Sequence, residues 1–180
     1  MSDPNTAERL AAEAQTAYRE GAYAEAAQKF AEAAEAYARL GENLKAAELR
    51  NNSSVAWHQA GEHAKALAAA EGTPEVFATA GDAEKEGLAW GNIGSALEGL
   101  KRWQEAAEAY QRSAERLEHS NNREARAAVL NALAAVQLRL KEPVEAFIAA
   151  QQAVNNQPAS PKKWLVKKLL KIYARLAGGH

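Results

Sequence analysis

The chain has 180 residues, a formal net charge of −1 and no cysteine, which removes disulfides, thiolate zinc sites and cysteine nucleophiles together. This length suits one domain, and 45 alanines with only 5 prolines favour long helices. The N-terminus has no basic segment followed by an apolar core, and no apolar run reaches the ~18 residues of a membrane span, so a cytoplasmic protein is expected.

In chain order, helices are expected over 4–20, 24–39, 43–60, 64–80, 83–100, 104–119, 123–140 and 143–156, with a ninth over 161–177. Asp3 is placed to cap the first, with Pro4 at its first helical position. The stretch E-G-T-P-E at 71–75 interrupts the fourth helix. Pro74 removes a backbone donor and clashes with the preceding turn, so a break is expected there, with Thr73 capping the restarted helix.

These elements repeat. The segments E-A-A-Q-K-F at 25–30, K-A-L-A-A-A at 65–70, E-A-A-E-A-Y at 105–110 and E-A-F-I-A-A at 145–150 recur at a step of 40 residues. Ala26, Ala66, Ala106 and Ala146 share one column; Gly21, Gly61, Lys101 and Lys141 share the turn five residues earlier; Gly41, Gly81 and Asn121 close the unit. Four units of two helices each therefore fill residues 1–160.

The third unit reads W-G-N-I-G-S-A-L at 90–97, followed by Trp103, Ala106 and Tyr110, and resembles the tetratricopeptide repeat. The fourth agrees through L-N-A-L-A at 130–134, Ala146, Ala153 and Pro158, and the first two units match more weakly. The usual period of that family is about 34 residues. The step of 40 looks like the longer-unit subclass of kinesin light chains and cell-polarity adaptors. The resemblance implies an all-α right-handed solenoid of helical hairpins over 1–160; residues 161–180, directly after the fourth unit, are expected to be a basic amphipathic C-terminal capping helix and short tail.

Gly91 and Gly94 in G-N-I-G invite a phosphate-loop reading, which needs a preceding strand and an open loop that the chain does not offer. Gly94 falls instead in a column of small residues, Ala14, Ser54, Gly94 and Ala134, where the two helices of a unit press together. It is read as a packing glycine.

A helical pair cannot bury its apolar face alone, so units stack into a solenoid with a concave side. The resemblance implies that the first helix of each pair lines this groove and that an extended peptide or partner helix lies in it. The columns placed there hold Ala11, Asn51, Gly91 and Asn131, then Ala12, Asn52, Asn92 and Ala132. Asparagine amides donate and accept, which suits unpaired ligand backbone. Asn51, Asn52, Asn92 and Asn131 are the leading groove residues, with Val55, His58, Gln59, Ser95 and Arg139 beside them; the competing reading leaves them simply facing water. The columns that grip a chaperone's C-terminal carboxylate in some tetratricopeptide domains hold no cation here, so that clamp is absent.

Catalytic motifs are lacking. His58 and His63 lie five apart, which misplaces them for the i, i+4 spacing of a helical metal pair, and neither a metal nor a cofactor is expected. The chain reads as a non-catalytic scaffold or adaptor that binds a protein or peptide, with self-association left open by an exposed first unit.

Charge is uneven. Residues 1–161 carry all 23 acidic residues against 16 Lys and Arg (−7), while 162–180 carry 6 Lys and Arg and no acid (+6). Along 161–177, Leu165, Leu169, Ile172 and Leu176 form an apolar stripe beside Lys162, Lys163, Lys167, Lys168, Lys171 and Arg175. Such a helix caps the solenoid, or recruits the protein to a membrane surface or acidic partner, and the sequence leaves both open. Nucleic acid is not expected, because the body is acidic.

Overall fold

The computed structural model describes residues 4–157 and 166–168. Nine helices fill the first span: α1 (Pro4–Arg19), α2 (Tyr23–Arg39), α3 (Asn43–Gln59), α4 (His63–Ala70), α5 (Thr73–Thr79), α6 (Ala83–Gly99), α7 (Trp103–Glu118), α8 (Arg123–Arg139) and α9 (Pro143–Asn156). Residues 166–168 are helical and exposed; the rest of the predicted 161–177 helix, and Asp3, lie outside the described residues.

The helices end by one device used at a step of twenty residues. At the close of α3, Gly61 N–H donates to His58 O (3.0 Å) and Glu62 N–H donates to Trp57 O (2.9 Å), satisfying carbonyls that the helix leaves open. This turn needs one left-handed residue, and Gly21, Gly41, Gly61 and Gly81 supply it at φ 72–80°. Lys101 and Lys141 hold the same place at φ 60° and 65° with a side chain present. Position 121 departs from the pattern. There Ser120 Oγ donates to Leu117 O (3.0 Å) and accepts from Asn122 N–H (3.2 Å), while Asn122 Oδ1 caps α8 through Ala125 N–H (3.0 Å).

The break in the fourth predicted helix occurs as expected, between α4 and α5, with Gly72 at φ 78°. Thr73 is not its cap. The Thr73 hydroxyl is fully buried and donates back to Ala70 O (2.7 Å), because the side chain points into the core rather than along the new helix.

Each pair packs as a hairpin: α1 on α2, α3 on α4 and α5, α6 on α7, α8 on α9. Successive pairs then join asymmetrically. From the second pair on, first helices touch each other (α3 with α6, α6 with α8), and second helices pack on the next first helix (α2 on α3, α4 on α6, α7 on α8). First helices thus share one side of the array, the inner face, and second helices the other. The core is unusually alanine-rich, with Ala26, Ala66 and Ala106 fully buried and Ala146 at 3% exposure, which lets helices approach closely.

Candidate binding face

The inner face is built by the exposed sides of α1, α3, α6 and α8. Two columns reach solvent on all four helices: Ala12, Asn52, Asn92 and Ala132, and Gln15, Val55, Ser95 and Ala135. None of these eight positions carries a charge, in a chain where 25% of residues do.

The predicted residues divide into several groups. Asn92 Nδ2 donates to Asn51 Oδ1 (3.0 Å), so two of the four amides bond to each other across neighbouring units. Asn52 and Val55 line a shallow depression with Tyr18 and Phe30, about 290 Å3 in volume. Asn131, Gln59 and Arg139 are exposed, and the Arg139 guanidinium stands 5.7 Å from the Trp103 ring centre. Ser95 Oγ donates to Gly91 O (3.0 Å) on its own helix. Gly91 itself leaves the face: it is buried, and a Cβ there would sit 3.2 Å from Ser113 Oγ.

Gly94 packs as expected. A Cβ at this position would lie 2.6 Å from the Tyr110 ring on α7, so only glycine admits that ring. The Tyr110 hydroxyl donates to Glu98 Oε2 (2.8 Å) and lies 3.2 Å from Ser95 Oγ. Burial pushes the Tyr110 hydroxyl above its ordinary value of 10.0, which keeps it a donor at neutral pH.

Two features were not evident in the sequence. The His58 and His63 rings meet at a tilt, their planes 52° and their centres 5.0 Å apart, because the Gly61 turn, not a continuous helix, connects them. Both Nδ1 atoms are buried without a hydrogen-bond partner, and burial first, then the neighbouring His63, lowers the His58 pKa from 6.5, with Glu98 opposing. The second feature is a set of ion pairs between helices. Lys85 joins Glu48 on α3 (2.9 Å) to Asp82 (3.0 Å), and Arg116 on α7 meets the buried Glu86 of α6 (2.9 Å). Among the described residues, no group of three or more His, Asp or Glu is placed to hold a metal ion.

Repeated helical hairpins whose first helices share an inner face define an α-helical solenoid. A family model described as the tetratricopeptide repeat matches residues 86–159, the span of α6 to α9 and thus the third and fourth units. That match falls where W-G-N-I-G-S-A-L and L-N-A-L-A stand. No curated protein matches the chain. Tetratricopeptide repeats serve as protein–protein interaction scaffolds and are generally non-catalytic. No helix among the described residues is long and apolar enough to cross a membrane.

Proposed function

We propose that the chain is an adaptor that holds an extended peptide segment of a partner protein along the inner face of α1, α3, α6 and α8. The observation that carries this reading is the uncharged double column from Ala12 to Ala135. Side chains that neither repel nor demand charge suit a ligand recognised through its backbone, and Asn52, Asn92, Asn131 and Ser95 supply the donors and acceptors. The depression at Tyr18, Phe30 and Val55 then seats one apolar ligand side chain. The step of 40, kept by the turns from Gly21 to Lys141, supports the longer-unit subclass resembling kinesin light chains and cell-polarity adaptors.

The register also bears on the C-terminal segment. Leu170, Tyr173, Ala174 and Leu176 stand forty residues after Leu130, Leu133, Ala134 and Val136, all buried in α8. Lys163, Lys168, Lys171 and Arg175 follow Arg123, Ala128, Asn131 and Ala135, all exposed. Lys167, which follows buried Ala127, breaks the pattern. This correspondence supports a capping role as a fifth first-helix over recruitment to a membrane surface or acidic partner. Liposome flotation separates the two: a cap leaves the protein unbound to anionic vesicles, and salt-sensitive flotation supports recruitment.

The groove reading is tested with a peptide selected against the protein from a displayed library. Asn52→Leu combined with Asn92→Leu is expected to weaken binding at least about tenfold, since two hydrogen bonds to the ligand of ~1 kcal/mol each are lost, with the fold retained and stability lowered only by the lost Asn51–Asn92 bond, about 1 kcal/mol. Unchanged affinity would remove these residues from the binding face.

A further inference from the structure

On the outer side, where the second helices lie, α7, α8 and α9 enclose a cleft of about 430 Å3. Its floor is apolar, with Leu130 and Leu133 from α8 and Ile148 from α9, the last 48% exposed. Its rim is acidic, with Glu115 and Glu118 from α7 and Glu145 from α9. Arg126 is the one cation in the lining, and it is already engaged: Nε donates to Ala114 O (3.2 Å) and Nη2 lies 3.0 Å from Glu118. Glu115 and Glu145 form no ion pair among the described residues. Gln137 also lines the cleft; it is 4% exposed, and its Oε1 has no hydrogen-bond partner. A buried amide left unbonded weakens a fold, so such groups are rare without a reason.

The repeat supplies its own control. Eighty residues earlier, a cleft of about 510 Å3 occupies the equivalent place beside α2 and α3. There Ala38, Ala46, Arg50 and Ser53 stand where the later cleft has Glu118, Arg126, Leu130 and Leu133. Its polar groups are satisfied: Ser53 Oγ donates to Ala27 O (2.8 Å) and Arg50 donates to Glu71 O (2.6 Å). The one carboxylate, Glu35, pairs with Arg39 (3.7 Å). The cavity is thus a property of the repeat, but the acidic rim and the unbonded amide belong to the later cleft alone.

We propose that the cleft between α7, α8 and α9 is a second docking site, which takes a lysine or arginine side chain from a basic segment of a partner protein. The aliphatic stem lies along Leu130, Leu133 and Ile148, and the charged head meets the rim carboxylates of Glu115 and Glu145. Lysine and arginine carry donors and no acceptor, and this rim offers acceptors and no unengaged donor charge. Acidic peptides and phosphate groups are repelled by the same carboxylates. The site lies on the opposite side from the inner face, so the chain joins two partners.

The test is a titration of the isotopically labelled full chain with a synthetic amphipathic peptide of leucine, lysine and arginine, followed by amide chemical shifts. The expected shifts cluster at residues 115, 137, 145 and 148, weaken with salt, and are absent with the counterpart peptide in which glutamate replaces the cations. Glu115→Gln with Glu145→Gln is expected to lower affinity about fivefold, the order of two partly exposed ion pairs. Glu35→Gln, at the equivalent earlier cleft, leaves affinity unchanged. Shifts centred on Asn52 and Asn92, or equal affinity for the double glutamine variant, would overturn the proposal. So would altered resonances of residues 161–177 in that variant without peptide, because the chain's own basic segment would then be the occupant.

Discussion

The second and third units hold equivalent places in the array and solve the same packing problem in opposite ways. In the third, Gly94 leaves a notch that the Tyr110 ring fills, and Glu98 fixes the ring's hydroxyl. In the second, Ser54 stands in the glycine column and Ala70 in the tyrosine column, and the second helix breaks directly after Ala70. The break turns Thr73, Pro74 and Phe77 into the core, where each is buried, so the volume missing at Ala70 is recovered by a new helix. The cost is polar. Ser54 Oγ, at 1% exposure, has no hydrogen-bond partner, whereas the polar groups around Tyr110 are bonded. A repeat fixes the distance between its helices; how that space is filled is free to differ from unit to unit.

The largest effect is expected at the third unit's ring. Tyr110→Ala removes a buried aromatic and leaves Gly94 facing a void, costing about 3–5 kcal/mol in denaturant unfolding. Gly94→Ala, with its Cβ 2.6 Å from a ring held in place by Glu98, costs about 1–3 kcal/mol despite alanine's better helix propensity. The same column in the second unit reverses the sign. Ser54→Ala deletes an unbonded buried hydroxyl and is expected to raise stability by about 1 kcal/mol. Equal signs for Gly94→Ala and Ser54→Ala would break the comparison.

The turns sharpen it further. Gly61 and Lys101 close the equivalent turns of the two units at φ 78° and 60°. Lys101→Gly relieves left-handed strain and is expected to stabilise by about 0.5–1 kcal/mol, while Gly61→Ala destabilises by about 1 kcal/mol, both read from thermal melts.

The smallest effect concerns acid. Because the folded His58 pKa lies below its ordinary 6.5, the unfolded chain takes up the proton first as pH falls. The associated stability is complete above pH 6.5 and drains away as pH falls through the lower folded value. The depressed carboxylates Glu13, Asp82 and Glu105 act in a more acidic window, below their ordinary 4.5, 3.8 and 4.5. A melting temperature that declines between pH 7 and pH 5 in the parent chain, and declines less in His58→Phe, is the expected result. Parallel declines would place the sensitivity elsewhere.

The helices and their order were legible because the hydrophobic period and the turn residues repeat together; each described boundary falls within a residue or so of its expected place outside the break. The left-handed lysines were legible only through the repeat, since nothing local marks Lys101 as a turn. At position 121 the turn was legible but its device was not, because the side chains of Ser120 and Asn122 replace what glycine does elsewhere. The spacing of His58 and His63 speaks only to a metal pair on one helix; that their rings meet follows from the turn between them, which spacing alone does not describe. The Asn51–Asn92 bond and the outer cleft depend on how neighbouring units dock, which no single-helix pattern contains.

The central claim is that a partner segment lies along the first helices. The chain contains no cysteine, so single cysteines carrying a photo-crosslinker can be placed at will. Inner positions 52 and 131 are compared with outer positions 28 and 108, all four exposed. With a library-selected peptide bound, the account predicts crosslinking from positions 52 and 131 and none from 28 and 108. Crosslinks from 28 or 108 with none from 52 and 131 would contradict it.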